Sequence, residues 1–401
     1  MPDPTLTSNR FIMVSGYFPP IVGGATTVVV NLLHSFDPDR FWVFAEKPDC
    51  FEGTHNAEIP PKWRVDHFGV PAALKRIPYG TRIVRFCRFG LVPAITMRIC
   101  KRARAINAGC IIAVFPSWPF YISAYYAHRL LGIPLYTYHL DAIPKPHELN
   151  EPDTTVYGLY HEKILRAATG RLVLSEALGN EFKREFGLDS KVIPHSLDFS
   201  RVTQGAMNPD LLARCGGKRL IVHTGAVADL QIDGLLRIAK AIKENPQLNA
   251  KLVLSTPSDR EEVISHGLDP KEVEIVFLKK EEVFALQRHA SALLVTLPFT
   301  HRSDERTPFP TKTVEYMASG TPILAHVPTD SYLAGHIAQY GYALVAASEQ
   351  ELPRALKTIL DDCSLRERLA QNAQRTAREL FSIEKIATRF AGACGLEHLP
   401  G

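Results

Sequence analysis

Nothing in this 401-residue sequence is built as a long apolar run. One stretch, Ala105–Ala127, holds no Asp, Glu, Lys or Arg, but Pro116 and Pro119 break it and Asn107, Ser117 and Ser123 interrupt it. It reads as strand, loop and helix rather than a bilayer span. Met1–Arg10 is polar, carries Asp3 and has no apolar signal-peptide core. The seven cysteines stand at 50, 87, 100, 110, 215, 363 and 394, with no Cys-x-x-Cys pair. An odd, scattered set fits reduced thiols better than a disulfide framework, so a soluble cytoplasmic protein is expected. No His-x-x-x-His pair is joined to a carboxylate and no Asp-x-Asp ends a strand, so no metal and no separate cofactor are expected. Gly-x-Ser-x-Gly is absent, as are short repeats and low-complexity segments. The basic residues follow no known nucleic-acid module, so nucleic acid is not an expected partner. One local absence stands out: His67–Leu140 contains no Asp or Glu at all.

Apolar residues make up 46% and charged residues 22%, the balance of a globular protein, and the net charge of +4 favours no partner class. The length predicts two domains. Short β-rich runs recur at Phe11–Ser15, Phe41–Ala45, Cys110–Phe115, Leu135–His139, Arg171–Leu174 and Lys191–Pro194. Helical periodicity fills most gaps, at Thr26–Phe36, Phe120–Leu131, Val156–Ala168 and Glu176–Phe186. The alternation restarts at Arg219–Thr224 and runs through strands Lys251–Ser255, Glu274–Leu278, Ala292–Leu297, Pro322–Ala325 and Tyr342–Ala346. Helices are expected at Asp233–Glu244, Asp259–Ser265, Glu281–Ala290 and Thr311–Ser319, and over most of the chain from Glu349 onward. Strands separated by helices predict parallel sheets covered on both faces. The expected fold class is therefore α/β, with two doubly wound Rossmann-like domains facing each other across a cleft. Their expected bounds are 1–200 and 218–380, with a C-terminal helix at 381–401 packing back on the first domain. Leu197–Lys218, with Gly205, Pro209 and Gly216-Gly217, reads as the linker.

Three segments carry a resemblance. Phe11–Asn31 (FIMVSGYFPPIVGGATTVVVN) resembles the opening of the retaining GT-B glycosyltransferases of family 4, where a first strand ends in a Pro-Pro and Gly-Gly loop that feeds a helix. Phe309–Ala325 (FPTKTVEYMASGTPILA) resembles that family's donor-site helix running into Gly-x-Pro and a strand. Arg171–Asp198 resembles the stretch that closes its first domain. The similarity runs in order over most of the chain and makes it family 4-like. It implies a GT-B fold, a nucleoside-diphosphate sugar as donor partner, and a saccharide or glycolipid as acceptor. It further implies transfer with retention and without metal, the work of a hexosyltransferase-class enzyme.

By that resemblance Glu315 holds the ribose hydroxyls, a task that suits a carboxylate because it accepts two hydrogen bonds. Thr311, Lys312 and Thr313 open the helix, where free amides and the helix dipole favour a diphosphate and Lys312 adds a full charge. Thr311 is also explained as a plain helix cap. Phe309, Pro310 and Gly225 complete the expected donor positions, with Gly23 and Gly24 as the loop that lets backbone amides approach a phosphate or sugar. His139, at the end of its strand and followed by Asp141, is placed beside the transferred sugar; a histidine satisfied by a loop carbonyl is the plainer alternative. With Lys312 and Glu315 it makes the expected catalytic set. Ser175 and Glu176 match a family strand end, although a helix cap accounts for Ser175 equally well, and His195 and Asp198 read as hinge structure.

The sequence also departs from the family pattern. The usual arginine and lysine after the first strand of the second domain are missing from Gly225–Gly234 (GAVADLQIDG). A departing diphosphate needs compensating charge. Lys312, Arg302 or Arg306 substitutes, or the activity is weak, or the chain is a non-catalytic relative. The family's first glutamate falls at Thr307, with Asp304 and Glu305 close enough to stand in as donor-sugar contacts. A non-catalytic nucleotide-sugar-binding subunit and a nucleotide-sugar epimerase are the alternative functions.

Within the acid-free stretch, Arg82, Arg85, Arg88, Arg98, Lys101, Arg102 and Arg104 alternate with apolar Ile83, Val84, Phe86, Phe89, Leu91, Ile95 and Ile99. Such a surface suits an anionic membrane, each cation near it contributing about 1 kcal/mol. Peripheral attachment to the inner face of the cell membrane is the expectation, with a solvated helix face or an anionic-acceptor patch as the alternatives.

Overall fold

The computed structural model describes residues 9–21, 23–47, 58–70, 74, 79–141, 152–227, 229–299 and 306–397. They form two compact units, Met1–His195 with Ile383–Gly401, and Ser196–Ser382.

In the first unit the elements run β1 (Phe11–Ser15), α1 (Gly24–Leu33), β2 (Phe41–Glu46), β3 (Val65–Phe68), α2 (Gly80–Gly90), α3 (Val92–Ala105), β4 (Cys110–Phe115), α4 (Trp118–Leu131), β5 (Leu135–His139), α5 (Asp153–Ala167), β6 (Gly170–Val173), α6 (Glu176–Phe186) and β7 (Lys191–Val192). The seven strands pair in the order β3-β2-β1-β4-β5-β6-β7, and all the pairings are parallel. Strand β1 shows why the fold forms. Phe11 and Met13 enter the core on one face while Ile12 and Val14 enter the core on the other. A strand buried on both sides needs helices on both sides. Gly16 follows β1 at a place where a Cβ would overlap the Ser117 side chain, so only glycine lets the end of β1 meet the turn after β4.

The second unit opens with α7 (Phe199–Val202) and α8 (Pro209–Cys215). It continues with β8 (Arg219–Thr224), α9 (Asp229–Glu244), β9 (Ala250–Ser255), α10 (Arg260–Ser265), β10 (Val273–Val276), α11 (Lys280–His289), β11 (Ala292–Thr296), α12 (Thr311–Ser319), β12 (Ile323–His326), α13 (Tyr332–Tyr340), β13 (Ala343–Ala346), α14 (Leu352–Asp361) and α15 (Cys363–Leu380). Its six strands are ordered β10-β9-β8-β11-β12-β13. Both sheets reverse their winding between the first and fourth strands, β1/β4 and β8/β11. Ligands of doubly wound sheets bind at the carboxyl ends of the strands there.

Two stretches differ from the sequence expectation. Leu197–Lys218 is no bare linker, because it carries α7 and α8, and Leu197, Val202, Leu211 and Cys215 are buried in the second unit's core. Those helices are four and seven residues long, too short for periodicity to declare them. Strand β3 was not anticipated, since Val-Asp-His-Phe is short and half polar. The last helix, α16 (Ile383–Ala393), belongs to the first unit, where Phe390 meets Phe11 and Phe36 with ring centroids 6.4 and 5.9 Å away. Burial of a phenylalanine this way is worth about 2–3 kcal/mol. Among the described residues no helix is long and apolar enough to cross a membrane.

His161 on α5 stacks on Tyr157 at 4.6 Å, close to Phe115, Trp118 and Phe186. It is 1% exposed, and neither ring nitrogen has a hydrogen-bond partner. Burial pushes its pKa down to about 4. The unfolded chain then binds a proton that the folded chain refuses, so stability falls as pH drops from about 6.5 to 4, by up to about 3 kcal/mol for this one group. His161→Phe keeps the aromatic packing and removes the proton site. Its thermal midpoint is expected to rise relative to wild type as pH is lowered from 7 to 5, and parallel pH profiles would rule this account out.

Candidate functional site

Helix α12 starts directly behind Pro310, and its first turn has no side-chain cap. Thr313 N–H reaches Pro310 O at 2.9 Å, and among the described residues the other opening amides, which helix geometry leaves without an intrahelical acceptor, show no partner. Its buried side, Val314, Tyr316 and Met317, locks into the core, and Gly320 ends it at φ +78, packed against Gln374. Tyr316 adds a polar anchor. Its hydroxyl accepts the Thr224 N–H at 2.7 Å and lies 3.1 Å from Thr224 Oγ1, which ties α12 to the carboxyl end of β8.

This anchoring sets Lys312 beside Gly225. The Lys312 Nζ lies 2.8 Å from His223 Nε2. Gly225 has φ +98, and a Cβ there would stand 3.5 Å from both Cε and Nζ of Lys312. Burial brings the Lys312 pKa down to about 7, against the opposing pull of Glu315. Burial first, and then the Lys312 charge, hold His223 well below the ordinary histidine value. One turn along, Glu315 is 7% exposed. Its carboxylate pairs with Lys280 of α11 and accepts from Gln287 Nε2 at 3.4 Å. Gln287 Nε2 also donates to Thr224 Oγ1 at 3.3 Å, while its Oε1 and Thr313 Oγ1 are buried with no hydrogen-bond partner among the described residues. Lys312, the Lys280–Glu315 pair and the start of α12 therefore meet at the β8/β11 switch point. Such a set can hold an anion at the helix end and hydroxyls at the carboxylate.

Other sequence candidates fall elsewhere. Phe309 is 7% exposed and packs on Phe381 and His336, so its side chain belongs to the core and only its backbone borders the site. Pro310 and Thr311 are half-buried at the helix start, as is Thr307 two residues before Phe309. Arg306 pairs with Asp330 at 3.3 Å. Arg302, Asp304 and Glu305 lie outside the described residues. The residues missed from sequence are His223, Lys280, Gln287 and Tyr316; among these, His223 could have been noticed as a histidine one residue from the end of a switch-point strand.

In the first unit, Gly23 and Gly24 are exposed at the start of α1, and a Cβ on Gly23 would meet nothing within 4 Å. The structure places His139 in the interior at 0% exposure, stacked on Phe115 at 5.0 Å, edge-on to Phe182 at 4.7 Å and with Nε2 3.2 Å from the Tyr121 hydroxyl. Ser175 caps α6 by accepting Leu178 N–H at 3.2 Å, and Asp198 accepts Ser200 N–H at 2.9 Å.

The basic stretch divides in two. Arg88 bonds Glu46, whose carboxylate is almost fully buried at the end of β2, at 2.5 Å. Arg98 and Arg102 reach Asp66 on β3 at 2.9 and 3.0 Å. Burial works to raise Asp66, and the bonds from Arg102 and Arg98 outweigh it, so the carboxyl stays below its usual value. These three arginines serve the fold. Arg82, Lys101 and Arg104 are exposed, Arg85 is half-buried, and Tyr79, Phe86 and Met97 on the same helical pair are 79%, 57% and 61% exposed.

The family model described as Glycosyl transferases group 1 matches residues 216–376, short of half the chain and wholly within the second unit. No curated protein matches the chain. Among solved structures it is similar to Anabaena HepE in complex with UDP and glucose, at 16% identity and a TM-score of 0.70, covering 97% of this chain and 100% of that one. The chain has the GT-B fold. Sucrose-phosphate synthase from Thermosynechococcus elongatus gives 16% identity and a TM-score of 0.69, over 96% and 98% of the two chains. The UDP-forming trehalose-phosphate synthase of Burkholderia vietnamiensis gives 14% and 0.65, over 96% and 99%. The GT-B likeness thus spans both units, while the family match covers only the one holding α12. Among the described residues no group of three His, Cys, Asp or Glu is placed to hold a metal ion.

Proposed function

We propose that this chain is a glycosyltransferase that moves a sugar from a nucleoside-diphosphate sugar to a saccharide or lipid-linked saccharide, with retention of configuration. The observation that carries this reading is the convergence of Lys312, Glu315 and the open α12 N-terminus on the β8/β11 switch point. In it the diphosphate meets the helix amides and Lys312, and the ribose hydroxyls meet Glu315, one oxygen of which Lys280 orients. The leaving phosphate stays on the face that the acceptor hydroxyl approaches and helps to take its proton. The protein supplies position and charge through Lys312 and the helix end, with no metal required. HepE is solved with UDP-glucose, which makes a UDP-sugar the first donor to examine, followed by GDP-sugars.

A second reading, a non-catalytic nucleotide-sugar-binding subunit, draws on the enclosed His139 and on the missing basic pair. A thermal-shift screen over UDP, GDP and their sugars, followed by donor hydrolysis and transfer assays, separates the two. Glycosyl transfer is expected to fall at least about 100-fold in Lys312→Ala and about 10-fold in Glu315→Ala. Binding without turnover favours the subunit, and an active enzyme indifferent to both substitutions refutes the site.

The acceptor side of the proposal places the α2–α3 surface on an anionic membrane, with Phe86 and Met97 entering the interface and Arg82, Lys101 and Arg104 at the headgroups. Co-sedimentation is expected with phosphatidylglycerol vesicles and not with phosphatidylcholine ones, weakening in Arg82→Glu/Lys101→Glu. Equal partitioning to both vesicle types would sink this part.

A further inference from the structure

Lys312 is held in an unusual way for a half-buried ammonium: its hydrogen-bond partner among the described residues is an imidazole and not a carboxylate. The nearby carboxylate, Glu315, is taken by Lys280. His223 in turn is fixed from behind. Its Nδ1 faces the carbonyl of Leu294 on the neighbouring strand β11 at 3.2 Å. A carbonyl only accepts, so Nδ1 carries the proton and Nε2 presents its lone pair to Lys312. His223 is 0% exposed, which keeps the ring uncharged.

We infer that His223 is a positioning residue that aims the Lys312 ammonium at the donor diphosphate while leaving its charge unneutralised. This rests on the donor-site reading of α12. The physical logic concerns the charge. A carboxylate partner would orient Lys312 equally well and cancel the charge that the phosphates need. A neutral acceptor takes one N–H, leaves the others for the ligand and adds no opposing charge of its own. Gly225 borders the arrangement: its φ of +98 favours glycine, and a Cβ there would sit at ordinary contact distance, 3.5 Å, from the same Nζ. His223 thereby makes one cation do work for which the resembled family employs an arginine and a lysine.

The test compares nucleoside diphosphates with monophosphates by isothermal titration, using UDP against UMP and GDP against GMP. It covers the full-length wild type, His223→Phe, His223→Gln, Lys312→Ala and the His223→Phe/Lys312→Ala double variant, with unfolding curves to verify folding. His223→Phe is expected to reduce the diphosphate-over-monophosphate preference about fivefold or more while changing monophosphate affinity less than about twofold. His223→Gln, whose amide oxygen can accept from Nζ, is expected to recover part of the preference. The double variant should be no worse than Lys312→Ala alone. An unchanged preference in a folded His223→Phe overturns the inference, as does an equal loss for both ligand classes, which marks a purely structural histidine. If the wild type itself does not prefer diphosphates over monophosphates, the donor-site reading fails and takes this inference with it.

Discussion

A half-buried lysine ammonium whose partner among the described residues is an imidazole rather than a carboxylate is costly to keep. Burial, only partly offset by the charge of Glu315, lowers its affinity for a proton from the ordinary lysine value to about 7. Much of the second unit is arranged around retaining that group. Helix α12 must begin where it does so that Lys312 points at the end of β8. Tyr316 pins the helix to Thr224, and Gly225 leaves the space that Nζ fills. His223 then gives the ammonium a partner that does not quench it. Proteins seldom hold an unquenched buried cation for stability's sake, and groups perturbed in this way gather at functional sites.

The second constraint is division of labour among carboxylates and cations. Lys280 and Glu315 pair with each other, so Glu315 is held in place by a partner other than Lys312. Gln287 bridges Glu315 to Thr224, so both ends of the site, helix and strand, share one hydrogen-bond network. In the first unit the same economy governs the arginines. Glu46 claims Arg88, because a buried carboxylate deprived of its partner costs about 3–5 kcal/mol, and the half-buried Asp66 holds Arg98 and Arg102. Arg82, Lys101 and Arg104 face solvent beside the exposed Phe86 and Met97.

How much of this the sequence could show depends on distance along the chain. The strands, the helix α12 and the positions of Lys312 and Glu315 were readable because hydrophobic period and a nine-residue motif are local properties. The partners that give those residues their character are not local. His223 stands 89 residues from Lys312, Lys280 stands 35 from Glu315, and Gln287 stands 28 from Glu315. Spacing carries no trace of such pairs. Asp66 lies one residue before the acid-free stretch, so the arginines it neutralises looked like an open basic face. His139 ended a strand as the resemblance required, yet Phe115, Phe182 and Tyr121 close around it, and no property of the strand itself announced that enclosure.

The central claim is that the start of α12 and the end of β8 form a diphosphate site. Hydrogen–deuterium exchange with and without saturating UDP or GDP tests it most directly, because the ligand's oxygens must take the amides that the helix leaves open. The account predicts slowed exchange concentrated in peptides covering Thr311–Glu315 and Thr224–Val227. Protection that appears elsewhere and leaves both of those segments unchanged contradicts it.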